Sequence, residues 1–278
     1  MQDIMIETIK TDQIGFCFGV KRAISKVLGE LEKSGEKIHT LGPLVHNPQV
    51  VASLEQKGVV PVNKVSDVEE GVICYRSHGI QKEEEEEIRE RGLIAIDAVC
   101  PFVKTVRTRA LYLKKQGYTV VIVGDERHPE VKSVLSYLDN DGIVMQHSRP
   151  VEAKKIGVVC QTTQDIETLK QVVGGLIDRA QEIRVYNTIC GSTFLRKQQA
   201  VELAGRVEAM LVVGGKSSSN TTKLYHLVKK LQPRSYHVET EDDVNCEWFS
   251  GLKTVGITGG TSTPDFMIER VERLVKNL

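Results

Sequence analysis

Cysteines and polar loops recur in this chain at a spacing suited to metal and anion chemistry. Cys17 in GFCFGVKRA, Cys100 in AVCPFVKTV and Cys190 in TICGSTFLRK each follow a short apolar or extended segment and open a basic, helix-patterned stretch. They lie 83 and 90 residues apart. A polar loop follows each cysteine 28 or 29 residues on: LVHNPQ at His46, RHPE at His128 and KSSSN at Ser218. A second loop comes 61, 62 and 72 residues after: RSHG at His78, CQTT at Thr162 and GTSTPD at Ser262. Three cysteines with two matched loops apiece read as three copies of one unit, arranged with pseudo-threefold symmetry so that the cysteines converge and the loops ring one cleft.

Three sulfurs without CxxC spacing fit poorly with a structural zinc, which closes with four protein ligands. A three-thiolate site leaves one metal position open, and soft thiolates favour iron–sulfur clusters or zinc. A cysteine at a helix start is also favoured as thiolate by the helix dipole. Spacing alone does not choose the metal. Cys74 lies inside an apolar strand, Cys160 ends one and Cys246 sits in a polar segment, so none of these belongs to the recurring set.

The loop residues His46, His78, His128, Ser218, Ser219, Asn220 and Ser262 are neutral or singly charged donors, suited to a phosphorylated small molecule. GGKSSSN, behind the apolar run AMLVV, ends like a P-loop, but Met210 stands where the phosphate-wrapping glycine is required. It reads instead as an anion loop at a helix N-terminus. Glu130 is the only carboxylate of the six loops apart from Asp265, and its place beside His128 makes it the candidate proton carrier.

The elements that must hold these groups alternate. YTVVIVG, KIGVVC, AMLVVGG and KTVGITGG are apolar, strand-like and end in small residues, with helix-periodic stretches such as VRTRALYLKKQG and KLYHLVKKLQ between them. This pattern predicts an α/β fold with mainly parallel sheets and ligand sites at the C-terminal ends of strands. The repeat divides the chain into units 15–98, 99–187 and 188–278, with 1–14 as an N-terminal strand packing on the third. The acidic run KEEEEEIRERG reads as a solvated helix face, and Trp248–Phe249 as local packing.

Composition sets the class. The 278 residues are 40% hydrophobic and 27% charged with a formal net charge of zero, an ordinary globular balance that argues against broad nucleic-acid or anionic-membrane binding. No apolar run reaches the roughly 20 residues needed to span a bilayer. The first residues lack the pattern of a signal peptide, and six cysteines in an unsecreted protein are expected reduced or metal-bound, which points to the cytoplasm.

Together GFCFGVKRAI, LVHNPQVV, RSHGI, DAVCP, HPEV, QTT, NTIC, GGKSSSNT and TSTPD resemble the LytB family, the 4-hydroxy-3-methylbut-2-enyl diphosphate reductases of the non-mevalonate isoprenoid pathway. The motifs run in family order from residue 15 to residue 265. The resemblance implies a trefoil-like arrangement of three α/β units around a [4Fe–4S] cluster held by Cys17, Cys100 and Cys190, with the unique iron facing the substrate hydroxyl. It implies a diphosphate gripped by His46, His78, Ser218, Asn220 and Ser262, with Ser219 and His128 alongside. It also implies Glu130 as proton source, Thr162 orienting the hydroxyl, and a ferredoxin or flavodoxin as electron donor. The alternative is another iron–sulfur reductase or dehydratase acting on a different phosphorylated allylic alcohol. The chain departs from the family pattern at Val99, Ser192, Lys197 and Ser217, none of which is an implied ligand.

Overall fold

Strands and helices alternate along residues 6–278, which the computed structural model describes. The first stretch carries β1 (Glu7–Lys10), α1 (Phe18–Ser34), β2 (Ile38–Leu41), α2 (Pro48–Gln56), β3 (Val59–Val62), β4 (Val72–Tyr75), α3 (Lys82–Glu90) and β5 (Ile94–Asp97). The middle carries α4 (Pro101–Lys115), β6 (Thr119–Val123), α5 (Pro129–Tyr137), β7 (Gly142–Met145), β8 (Lys155–Cys160), α6 (Ile166–Leu176) and β9 (Glu182–Val185). The last stretch carries α7 (Gly191–Ala204), β10 (Ala209–Val213), α8 (Ser219–Leu231), β11 (Ser235–Val238), β12 (Thr254–Gly259) and α9 (Asp265–Lys276).

The strands form three four-stranded sheets of one topology: β3-β2-β4-β5, β7-β6-β8-β9 and β11-β10-β12-β1. All pairings are parallel. In the third sheet the fourth place is taken by β1, whose Glu7–Lys10 runs in register with Thr254–Ile257. The first five residues of the expected N-terminal strand segment lie outside the described residues.

By contact the chain divides into two compact units. One comprises the chain up to Lys21, Val45–Ser53 and Gly191–Leu278; the other comprises Arg22–Leu44 and Leu54–Cys190. The first unit contains the sheet of β10, and the second contains the other two.

Central strands read as unbroken apolar runs because both faces of each sheet are covered. In β10, Ala209, Leu211 and Val213 pack with Ile268, Val271 and Val275 of α9. Met210 and Val212 point the other way, onto Ala200 and Leu203 of α7 and Leu224 and Val228 of α8. In β6, Val120 and Ile122 meet α4 and α5 through Val106, Leu113, Val131 and Val134. Val121 and Val123 meet Leu169, Val172 and Leu176 of α6. Each such fully buried side chain contributes about 1.5–3 kcal/mol by leaving water. Edge strands are poorer in signal. Proline at 61 lies in β3, an edge strand, where a missing N–H costs no ladder bond.

Candidate active site

The recurrence seen in sequence is a recurrence of hydrogen bonds. Gly42, Gly124 and Gly214 each follow by one residue a strand that occupies the second place in its sheet, β2, β6 and β10. Each donates its N–H to the last residue of the neighbouring strand: Val62 at 2.7 Å, Met145 at 2.9 Å and Val238 at 2.8 Å. Cys17, Cys100 and Cys190 each directly precede a helix, α1, α4 and α7. Each donates its main-chain N–H to a carbonyl two residues beyond a strand end. The acceptors are Thr261 after β12 at 3.0 Å, Ser77 after β4 at 3.0 Å and Thr162 after β8 at 2.9 Å. The cysteines are therefore tied to the loops that bear Ser262, His78 and Thr162.

All three thiols are unbridged and partly exposed. They fit a thiolate-bound metal group by chemistry and position: soft donors, each at the positive end of a helix. The remaining cysteines do not share that setting. Burial, only partly offset by a hydrogen bond from the Ala98 backbone, pushes the Cys74 thiol up to about 12. Cys160 is fully buried at the end of β8, and Cys246 is exposed. Among the described residues no three His, Cys, Asp or Glu side chains are grouped around one metal-ion position.

In the first unit three predicted loops meet. Ser218 caps α8, its Oγ accepting the Thr221 N–H at 3.4 Å, and Ser219 begins the helix. Ser218, Asn220 and Ser262 are buried. The Ser262 hydroxyl donates to the His46 carbonyl at 3.0 Å, and Asn47 caps α2 through Oδ1 and the Val50 N–H at 3.0 Å. A side chain at Gly215 would press on the His46 carbonyl, and one at Gly214, with φ +142, would strike the Thr263 hydroxyl. Glycine at both positions lets the HNP and GTSTPD loops close on the anion loop. The result is a helix N-terminus ringed by neutral donors, in which the buried Nδ2 of Asn220 and Oγ1 of Thr221 have no hydrogen-bond partner among the described residues. An orphaned buried amide costs about 1–3 kcal/mol, which an anionic ligand at that helix start offsets.

In the second unit Glu130, Thr162, His128 and His78 come together. Glu130 is 2% exposed on the first turn of α5. Its Oε1 accepts the Thr162 N–H and its Oε2 the Thr162 hydroxyl, both at 2.7 Å. His128 caps α5, with Nδ1 accepting the Glu130 N–H at 3.2 Å and Pro129 pre-set at the first helical position. His78 meets His128 edge to face with ring centroids 5.9 Å apart. Gly79, at φ +104, lets the RSHG loop pass close to the Ser133 side chain of α5. This is a buried carboxylate bonded to a hydroxyl, beside two imidazoles, an arrangement able to hold and move a proton.

Every predicted loop residue thus lies in one of these two assemblies, and the three cysteines are bonded through their N–H groups to the same loops. Reading by spacing missed the supports. Gln161 is buried and holds the Asp125 N–H through Oε1 at 3.0 Å. Thr263 donates to the Val213 carbonyl at 2.9 Å, and Arg196 is buried in α7. Gln161 and Thr263 adjoin predicted residues and were open to notice; a buried arginine in a basic helix carries no sequence signal. Trp248 and Phe249 pack as expected, with Trp248 stacked on Tyr236 at 3.9 Å and Phe249 2% exposed. Glu85 of the acidic run is not merely solvated, since it accepts the Tyr137 hydroxyl.

Comparison with known proteins adds the family. The family model described as LytB protein matches residues 8–276. The chain is 42% identical over 281 aligned residues to the 4-hydroxy-3-methylbut-2-enyl diphosphate reductase of Aquifex aeolicus, covering 99% of this chain and 97% of that one. It is 45% identical to the same-named reductase of Citrifermentans bemidjiense, covering 96% and 95%. A solved structure of (E)-4-hydroxy-3-methyl-but-2-enyl diphosphate reductase, described as the terminal enzyme of the non-mevalonate pathway, matches with a TM-score of 0.74 at 42% identity. That match covers 99% of this chain and 100% of the other. The E-1-hydroxy-2-methyl-but-2-enyl-4-diphosphate reductase of Plasmodium falciparum matches with a TM-score of 0.90 at 25% identity, covering 96% and 87%. With its motifs, its three sheets and nearly its whole length in agreement, the chain belongs to the LytB family.

Proposed function

We propose that the protein reduces 4-hydroxy-3-methylbut-2-enyl diphosphate to isopentenyl and dimethylallyl diphosphate. Two electrons and two protons enter, the allylic C–O bond breaks, and the oxygen leaves as water. Its full-length likeness to reductases of that name supports the substrate. The observation that carries the chemistry is the buried Glu130 carboxylate bonded through both oxygens to Thr162.

Cys17, Cys100 and Cys190 are the residues that would hold a [4Fe–4S] cluster. Their equivalent helix-opening positions support this, as does the full burial of Cys74 within β4 and of Cys160 at the end of β8. When bound, that group supplies electrons one at a time and a Lewis-acidic iron that makes hydroxide a better leaving group. The protein's own groups do the rest. Asn220, Ser218, Ser219, Ser262 and His46 take the diphosphate, aided by the α8 N-terminus; His78 and His128 complete the donor set. Thr162 orients the substrate hydroxyl, and Glu130 passes it a proton through the Thr162 hydroxyl. A ferredoxin or flavodoxin delivers the electrons. The stretches 15–98, 99–187 and 188–278 are three copies of one unit. Six unbridged cysteines suit the reducing cytoplasm; among the described residues no helix is long and apolar enough to cross a membrane.

The test is Mössbauer spectroscopy on iron-57-reconstituted protein, with and without the hydroxylated diphosphate, beside anaerobic turnover. One distinct iron whose signal shifts with substrate is expected. A cluster indifferent to the substrate would overturn the substrate assignment, and no cluster at all would overturn the iron–sulfur reading.

A further inference from the structure

Arg196 lies in the second turn of α7 and is 2% exposed. An arginine is seldom buried unless something requires its charge. Two main-chain carbonyls receive its fork: Nη1 donates to Gly259 at 2.7 Å and Nη2 to Gly15 at 2.9 Å. Nε has no partner among the described residues. Gly15 begins the turn that presents Cys17, and Gly259 ends β12, two residues before Thr261. The Cys17 N–H to Thr261 bond, at 3.0 Å, joins the same two segments. The turn is tight: Gly15 has φ +78, and a side chain there would run into the Asp265 carboxylate.

The repeat supplies an internal control. Six residues after each cysteine come Ala23, Val106 and Arg196, all fully or almost fully buried. The other two helices fill that place with an apolar side chain, and Cys100 still makes the equivalent N–H bond to Ser77. Packing therefore does not require a guanidinium there. Charge supplies the reason: a guanidinium is always cationic in a protein, and its fork grips Gly15, two residues before Cys17.

We propose that Arg196 is a positioning residue for Cys17. It locks the cysteine turn onto the end of β12 and sets a fixed positive charge beside one ligand of the cluster. This rests on the assignment of Cys17 as a cluster ligand. Groups behind a metal ligand typically govern affinity by about 10–100-fold. A buried cation also favours the more negative, reduced state of a cluster.

The experiment compares wild type, Arg196→Met and Arg196→Lys after anaerobic reconstitution. It reads the rate of iron loss to a chelator, the reduction midpoint potential and the thermal midpoint of the iron-free protein. Methionine matches the apolar residues of the sister helices, so Arg196→Met is expected to fold, with a thermal midpoint lowered by the two carbonyls it leaves unpaired. It should lose iron about 10–100 times faster and show a more negative potential. Arg196→Lys keeps the charge without the fork, so it should lose iron faster with a potential near wild type. An Arg196→Met protein with wild-type iron loss and potential would overturn the proposal. If Arg196→Met does not fold, wild-type iron loss in Arg196→Lys overturns it. Failure of both to fold also overturns it, since Arg196 would then be a folding determinant. A wild-type protein that takes up no cluster refutes the functional reading instead.

Discussion

Glu130 and Thr162 show how little separates a structural carboxylate from a chemical one. Two 2.7 Å bonds from one threonine, one to each oxygen, fix the carboxylate and tie it to a hydroxyl. Glu130→Gln keeps the shape and removes the titratable group. It should bind the substrate with near wild-type affinity while single-turnover rate falls by about 10²–10⁴-fold; near-normal turnover would remove Glu130 from the mechanism. Asn220 makes the complementary case. Its Nδ2 has no hydrogen-bond partner among the described residues, so Asn220→Ala should cost little in thermal stability. Titration calorimetry with the diphosphate substrate should show about 10–100-fold weaker binding, the worth of one hydrogen bond to a charged group.

Among the elements, each helix start is a site and each strand end sets its height. His46, His128 and Ser218 each stand five residues beyond the ends of β2, β6 and β10, and each cysteine N–H bonds a carbonyl two residues beyond a strand end, so the sheets work as rulers. Cys74 and Cys160 lie within or at the end of strands, below the loops. Cys74→Ala, Cys160→Ala and Cys246→Ala should each retain the wild-type iron content by colorimetric assay, whereas Cys100→Ser should not. The β1 strand illustrates an element held by electrostatics. Burial disfavours charge on Glu272, but hydrogen bonds from Lys10 at 2.5 Å and Lys276 at 2.8 Å outweigh it and hold the carboxyl below its ordinary range. A lowered pKa stabilises the fold above the unfolded value and loses that stabilisation as pH falls through the folded one. The Tm advantage of wild type over Glu272→Gln should therefore be constant at neutral pH and vanish on acidification below about pH 4. A gap independent of pH would show that the ion pairs contribute nothing.

At the level of the whole molecule, three sheets each carry their own buried cluster of aliphatic side chains. Their folding does not wait for a metal as a zinc finger's does. Removing iron with a chelator should leave the far-ultraviolet circular dichroism unchanged and lower the thermal midpoint only by the loss of ligand binding. Collapse of the spectrum on iron removal would mean that the thiolates hold the fold together.

Much of this was legible in the residues. Central strands such as β6, β8, β10 and β12 announce themselves because a sheet covered on both faces demands an unbroken apolar run. The site loops announce themselves because the unit occurs three times, and the likeness of the motifs to the LytB family agrees with the match along the chain. Edge strands β5, β7, β9 and β11 carried no such run, because one side of each lacks a neighbour and its side chains are partly in water. What the sequence by itself determined was which residues stand at strand ends and helix starts, since local pattern and repetition fix those. Only the tertiary structure decided which side chains those residues meet. The bonds of Glu130 to Thr162, Ser262 to His46 and Arg196 to Gly15 join positions 32, 216 and 181 residues apart. Contacts at that separation follow from how the elements of each unit pack, for which no local pattern exists.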